Sequence, residues 1–218
     1  MRKNKIKGEG YKYRMRKIAS LTNKRNNLIL DIGFFEGHNK FLKGLIIGLD
    51  IVLPKEKPEN YIGMVKGDIM KETVFPNNFF NTIVMSGVLE HLENPTKALK
   101  ECNRILKKNG RLILEVPNPY FLPVIISDML MNLRYYFFDT HINMFPRRIL
   151  LKLLWNNGFQ LEDIKSCGFN LSNQKTIPMI QQFAQDIIVI TRKNKLRGEK
   201  ESKLIKLRKE KYDKENNK

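Results

Sequence analysis

The sequence predicts an α/β fold: a doubly wound, mostly parallel sheet of seven strands with helices on both faces. Three observations carry this. Short apolar runs alternate with stretches of helical period from residue 28 to residue 191. The first run, Leu28–Ile32, opens into a loop holding Gly33 and Gly37, the strand–glycine loop–helix entry of nucleotide-binding units. Successive runs also end at, or are followed by, an aspartate: Asp31, Asp50 and Asp68.

The elements follow in order. Residues 11–22 place Met15, Ile18, Ala19 and Leu21 near helical spacing among Arg and Lys, which predicts a short amphipathic helix lying against the domain. Strand one is 28–32, followed by a short helix over 38–44, and strand two is 45–50. A loop over 55–60 with two prolines leads to strand three, 61–66, and strand four is 81–86. A helix over 95–108 turns Ala98, Leu99, Cys102, Ile105 and Leu106 inward, and Asn109-Gly110 ends it. Strand five is 111–116. Residues 117–145, rich in aromatic and apolar side chains, break the alternation. Pro146 opens a helix over 146–157 that buries Ile149, Leu150, Leu153 and Leu154 and stops at Gly158. Residues 159–166 and 186–191 supply the last two strands. Beyond Thr191 the apolar pattern fades, so 192–218 is expected to be a frayed helix or disordered.

A length of 218 residues suits one domain with a full core. No uninterrupted apolar run reaches the roughly 18 residues needed to span a bilayer. The segment Met1–Gly8 has no apolar stretch behind it and does not read as a secretory signal. Cys102 and Cys167 have no metal-type spacing, so no metal and a reduced, cytoplasmic setting are expected. The net charge of +18 is concentrated at the ends: +9 in residues 1–26, +7 in 192–218 and +2 between them. The chain therefore divides into a basic N-terminal segment (1–26), a nearly neutral globular body (27–191, with the insert 117–145) and a basic tail (192–218). Such ends are either solvated or steer the protein towards phosphate or an anionic inner-membrane surface.

The loop Gly33-Phe-Phe-Glu-Gly37 spells G-x-x-x-G and lacks the G-x-G-x-x-G pattern that cradles pyrophosphate. With acidic strand ends, this suits a ligand without phosphate. The segment Asp31–Gly37 resembles the first motif of class I S-adenosylmethionine (SAM)-dependent methyltransferases, with Phe35 at the position of the middle glycine. Val88-Leu-Glu-His-Leu-Glu-Asn-Pro95 and Leu106-Lys-Lys-Asn-Gly-Arg-Leu-Ile-Leu-Glu-Val-Pro-Asn118 resemble the type 11, ubiquinone-methyltransferase-like branch, over roughly residues 25–165. The resemblance implies a Rossmann-like fold and SAM as cofactor. It implies Asp31 and the loop of Gly33 and Gly37 at the amino-acid end of SAM, and Asp50 on the ribose. Asp68 and the backbone of Ile69 would meet the adenine, and Met85, Ser86 and Gly87 the methionine side.

Glu90 and His91 are structural or pocket-edge residues by that resemblance, and His38 is a surface or cap residue. His141, between the aromatic insert and a helix start, is the candidate catalytic base, the other reading being a helix cap. Tyr120, Phe121, Leu122, Tyr135, Tyr136, Phe137 and Phe138 would form an apolar lid. The expected reaction is O-methylation of a small-molecule, lipid-linked or sugar acceptor. RNA as acceptor and a non-catalytic SAM-binding partner subunit are the rivals. Ser86-Gly-Val-Leu stands where base-directed enzymes carry an Asn/Asp-Pro-Pro-aromatic motif, which argues against amino methylation of bases. The sequence does not indicate an oligomeric state.

Overall fold

In a computed structural model, residues 9–22, 27–35, 37–129, 141–167, 169–170, 176–177 and 184–194 are described. Helix α1 (Glu9–Thr22) precedes β1 (Leu28–Ile32), β2 (Leu45–Asp50), β3 (Gly63–Lys66) and β4 (Phe80–Ser86). A 3-10 turn (Leu89–His91), α2 (Pro95–Ile105), β5 (Leu106–Pro117), α3 (Leu122–Met129) and α4 (Arg147–Asn156) follow. The chain continues through β6 (Phe159–Ser166), the short pair β7 (Phe169–Asn170) and β8 (Thr176–Ile177), and β9 (Asp186–Lys193). The main sheet has seven strands in the order β3-β2-β1-β4-β5-β9-β6. Strands β1 to β5 pair in parallel, and β9 is antiparallel to both neighbours. The chain runs outward from β1 to β3, then returns to β4 on the other side of β1. That reversal opens a crevice at the carboxyl ends of β1 and β4, where open α/β sheets bind ligands.

Alternation along each strand builds two cores. Leu30, Ile32, Ile83, Met85, Leu112, Leu114, Ile187 and Val189 face α2 and α4. Ile29, Ile46, Val84, Ile113, Ile188 and Ile190 face α1, which contributes Met15, Ile18 and Ala19. Helix α2 starts where the Asn94 side chain accepts the Lys97 amide (3.0 Å) with Pro95 in the first turn.

Four sequence expectations change. No helix forms over 38–44; the backbone makes turns instead. The Asn39 side chain bonds to Met15 O and to the Phe41 amide, and Asn60 Nδ2 donates to the carbonyls of Asn39 and Leu42. These side chains occupy groups that helical bonding would have used. Strand β3 starts at Gly63 rather than 61, because Tyr61 turns into the α1-side core. Helix α2 ends at Ile105, not 108. The amides of Asn78 and Phe79 take its last carbonyls (Arg104 O at 3.0 Å, Ile105 O at 2.7 Å), and Leu106 goes directly into β5. Asn109 does take the left-handed conformation (φ 62°), but as a kink within the strand. In α4, Pro146 is the N-cap and Ile149 faces solvent, 54% exposed, while Leu150 and Leu154 are buried. No described helix is long and apolar enough to cross a membrane.

Candidate active site

Strand parity decides which side chains reach the crevice. Asp50, Ser86, Glu115 and Asp186 share the parity of the α1-side core residues in their strands, as Asp31 shares that of Ile29. Side by side at the ends of β2, β1, β4, β5 and β9, they form a polar, mostly acidic rim. Helix α1 lies over it. Arg14 Nη1 contacts Glu115 Oε1 (3.1 Å) and Asp186 Oδ2 (3.3 Å), and the Tyr11 hydroxyl donates to Gly37 O in the glycine loop (2.6 Å). Burial pulls the Arg14 pKa down, but Glu115 and Asp186 outweigh it and the net shift is upward. Ser86 Oγ donates to Glu115 Oε2 (2.6 Å). Burial, with Glu115 beside it, pushes the Asp186 carboxyl up to about 7.

The glycine loop is shaped by two steric demands. Gly33 has φ 78°, and a Cβ there would lie 2.3 Å from Val88 Cγ2. Only glycine lets the loops after β1 and β4 approach this closely. Phe34 turns inward onto Gly48, where a Cβ would meet its ring at 2.6 Å, and is 2% exposed. Phe35, at the middle-glycine position, is 42% exposed and adopts no positive φ, so the loop takes a bulky residue there without left-handed backbone.

The carboxyls expected at the cofactor differ in their availability. Asp50 accepts the amides of Phe35 (2.9 Å) and Val52 (3.2 Å), which fixes its carboxylate at the loop while each oxygen keeps a further lone pair. Asp68 accepts the Met70 amide (2.8 Å), and the Ile69 side chain is in the core, leaving its backbone for contact. Asp31 is buried. It accepts the Tyr61 hydroxyl and the Asn39 amide, and burial pushes its carboxyl up to about 7. A ligand amino group would have to displace the Tyr61 hydroxyl to reach it. The Met85 side chain lies in the core opposite the rim, so only its backbone faces the crevice, whereas the Ser86 hydroxyl is on the rim.

The chain returns to the site at 141–145. The amides of Ile142 and Asn143 both donate to Glu90 O (3.0 Å each), and Asn143 Nδ2 donates to Leu92 O (2.7 Å). This staples the segment to the turn after β4. His141 Nε2 then lies 4.0 Å from Glu90 Oε1, and the rings of His91 and His141 are 4.8 Å apart. Ligating atoms of Glu90, His91 and His141 all lie within 4.8 Å of one another, a cluster that sequence spacing did not assemble. Burial pushes Glu90 up to about 8. His38 is exposed, edge-on to Tyr61. Of the expected lid, Phe121 is nearly buried while Tyr120 and Leu122 are exposed; Tyr135, Tyr136, Phe137 and Phe138 lie outside the described residues.

Sequence reasoning missed Arg14, Tyr11, Tyr61, Glu115 and Asp186. A signal existed for Glu115, a charge inside the apolar run Leu112–Val116. The donor set fits SAM: a glycine loop that a Cβ would block, a fixed carboxylate at the end of β2, and an acidic rim for a cationic sulfonium.

Comparison with known proteins agrees with this geometry. The family model described as "Methyltransferase domain" matches residues 10–164. An uncharacterized protein of Methanocaldococcus jannaschii is 31% identical over 121 residues, covering 53% of this chain and 47% of that protein. The ubiquinone/menaquinone biosynthesis C-methyltransferase of Photorhabdus laumondii is 43% identical over 51 residues, covering 23% of this chain and 20% of that protein. The chain thus spans less than half the length of these curated relatives. Among solved structures, a SAM-dependent methyltransferase of Thermotoga maritima superposes with a TM-score of 0.63 at 18% identity, covering 85% of this chain and 90% of that one. One of Archaeoglobus fulgidus gives 0.58 at 20% identity, covering 84% and 92%. With a family model matched over most of its length, the chain belongs to the methyltransferase-domain family, and it shares the fold of these SAM-dependent enzymes.

Proposed function

We propose that the chain methylates a hydroxyl oxygen of a small-molecule, lipid-linked or sugar acceptor. The observation that carries this reading is the placement of His141 beside the turn after β4, held by the staple at Glu90 O. SAM, when bound, supplies an electrophilic sulfonium methyl. A hydroxyl attacking it must lose a proton, and an imidazole at the crevice suits that task near neutral pH. Asp50 and the glycine loop hold and orient the cofactor, with Asp68 and the Ile69 backbone at its adenine. Gly37 and the Met85 backbone flank its methionine end, with Ser86 on the rim. Asp31 supports the loop from below.

Helix α3, starting just after the end of β5, supports an apolar acceptor. Leu122, Ile126 and Met129 fall at i, i+4 and i+7 on one face and are 56%, 47% and 78% exposed. An apolar face there would exclude water on one side and take a lipid chain on the other, with the basic ends favouring an anionic membrane surface. The charge of the ends equally favours structured RNA, which stands as the second reading.

The test is transfer of labelled methyl from SAM to panels of hydroxyl, amine and carbon acceptors and to RNA. Carbon belongs in the panel because one relative is named a C-methyltransferase. With a genuine acceptor, His141→Ala is expected to leave SAM affinity intact and lower turnover by roughly 100-fold. Unchanged turnover would return His141 to a structural role.

A further inference from the structure

We propose that Glu90, His91 and His141 form a binding site for a divalent transition-metal cation beside the crevice. This goes beyond the methyl-transfer reading and rests on the geometry of the cluster. The expectation of no metal came from the spacing of Cys102 and Cys167; both are buried, and neither belongs to this cluster.

Two separate segments supply the three side chains. Glu90 and His91 stand on the turn after β4, and His141 opens the segment that returns to it. The Ile142 and Asn143 amides on Glu90 O, and the Asn143 side chain on Leu92 O, hold the segments together. One ligating atom from each side chain lies within 4.8 Å of the other two, and Glu90 Oε1 is 4.0 Å from His141 Nε2. Ligands about 2.0–2.2 Å from one cation stand roughly 3–3.5 Å from each other. Closing the cluster onto a cation therefore takes movements of about 1 Å. Rotation of the exposed His91 and the partly exposed His141 supplies them.

The state of the Glu90 carboxyl is the second, independent observation. Its side chain is 3% exposed, yet Oε2 has no hydrogen-bond partner among the described residues. A buried carboxyl left this way is costly, and a cation held between it and two imidazoles satisfies it. Charge points the same way. Glu115 and Asp186 act on Glu90 through space, and Arg14, the cation that acts on it, is already paired with both of them. Burial pushes Glu90 up to about 8 in the absence of metal; an arriving dication displaces that proton as it binds.

The ligand set selects the class of ion. Two imidazole nitrogens and one carboxylate oxygen suit Mn²⁺ through Zn²⁺, with Zn²⁺ the tighter of the two, whereas Mg²⁺ and Ca²⁺ favour oxygen. Ligation takes one nitrogen of each imidazole; the other typically donates to a second partner, and both rings make further interactions. Three protein ligands leave positions open on the side where His91 is exposed, as in sites that bind a water or a substrate oxygen. A hydroxyl bound to the same cation is acidified directly, so His141 matters to turnover as a ligand or as a base.

The test needs neither SAM nor an acceptor. Calorimetry of the full chain with Zn²⁺ should show binding that Glu90→Gln and His91→Asn each weaken by about 10-fold or more and that His38→Asn leaves unchanged. Melting temperatures without metal check that each variant folds. Should Glu90→Gln fail to fold, His91→Asn carries the comparison, since that ring is exposed. Nitrogen-15 NMR of the three histidines, assigned through His38→Asn and His91→Asn, gives a second readout. Mn²⁺ below one equivalent should broaden His91 and His141 and spare His38. Equal broadening of all three overturns the proposal. So does a Zn²⁺ affinity that a folded Glu90→Gln, or His91→Asn, leaves unchanged. Calorimetry with SAM tests the methyltransferase reading separately, so the two can fail independently.

Discussion

Asp31→Asn should make the protein more stable at neutral pH, an unusual expectation for a polar residue beside a ligand loop. Asp31 is 5% exposed, and burial raises its carboxyl from 3.8 to about 7 despite bonds from Tyr61 and Asn39. The unfolded chain gives up this proton near pH 4, and the folded chain keeps it to about 7. Between those values the folded state binds more protons, so stability falls as pH rises and the loss is complete above about pH 7. A shift of about three units, at 1.36 kcal/mol each, sets an upper bound of about 4 kcal/mol. Asparagine still offers an oxygen to Tyr61 and Asn39 but never ionises. The variant should therefore resemble wild type below about pH 4, pull ahead of it as pH rises and exceed it by about 2–4 kcal/mol at pH 8. Glu90 and Asp186 are also raised, so wild-type stability should fall across this window more steeply than one group requires. The difference between the two proteins cancels their contribution. Glu101 and Glu162 are shifted the other way, downward from 4.5, so they do not add to this fall. Urea unfolding at pH 5, 6, 7 and 8 measures the difference. A difference that does not change with pH, or a variant less stable than wild type at pH 8, would refute the reasoning.

Two further outcomes follow from the same geometry. Asp50→Ala should weaken SAM and S-adenosylhomocysteine binding by about 1.5–3 kcal/mol for each charge-assisted ribose bond removed, while NAD binds poorly to either protein. It also frees the Phe35 amide. Calorimetry with no loss in the variant would move the ribose contact elsewhere. Deleting residues 195–218 should leave the melting temperature and SAM affinity nearly unchanged and reduce co-sedimentation with anionic vesicles. That association should fall as salt rises, because the attraction is screened over about 8 Å at physiological ionic strength. Binding to structured RNA but not to vesicles would put the RNA reading ahead.

What was legible in the sequence was what neighbouring residues decide. Strands β1 and β2 run as the apolar pattern indicates, 28–32 and 45–50, because Gly33 and Gly44 (φ 78° and 130°) break the chain beside them. The failure at 38–44 came from tertiary bonds: Asn60 reaches back to Asn39 and Leu42, which no local pattern announces. The boundary at Ile105 failed similarly, since the 78–79 loop captures the carbonyls of α2. The aspartates at the strand ends were visible as a set, but their availability was not. Asp31 belongs to Tyr61, a partner thirty positions away. The acidic rim needed register to be seen, since Ser86 meets Glu115 only once β4 and β5 pair. Arg14 reaches Glu115 across 101 positions.

The rim holds its acids in two ways. Glu115 and Asp186 anchor α1 through one shared guanidinium nitrogen, an arrangement that favours ionised, paired carboxylates. Asp31, at the end of β1, follows the opposite course: it is buried, keeps its proton to about pH 7 and is held by Tyr61 and Asn39 rather than by a cation. Substitutions should divide along the same line. Removing Arg14 leaves Asp186 and one oxygen of Glu115 without their cation and should destabilise the fold by about 3–5 kcal/mol. Removing the charge of Asp31 relieves burial and should stabilise the fold above about pH 7. An Arg14→Ala protein as stable as wild type in urea at pH 8 would overturn this division.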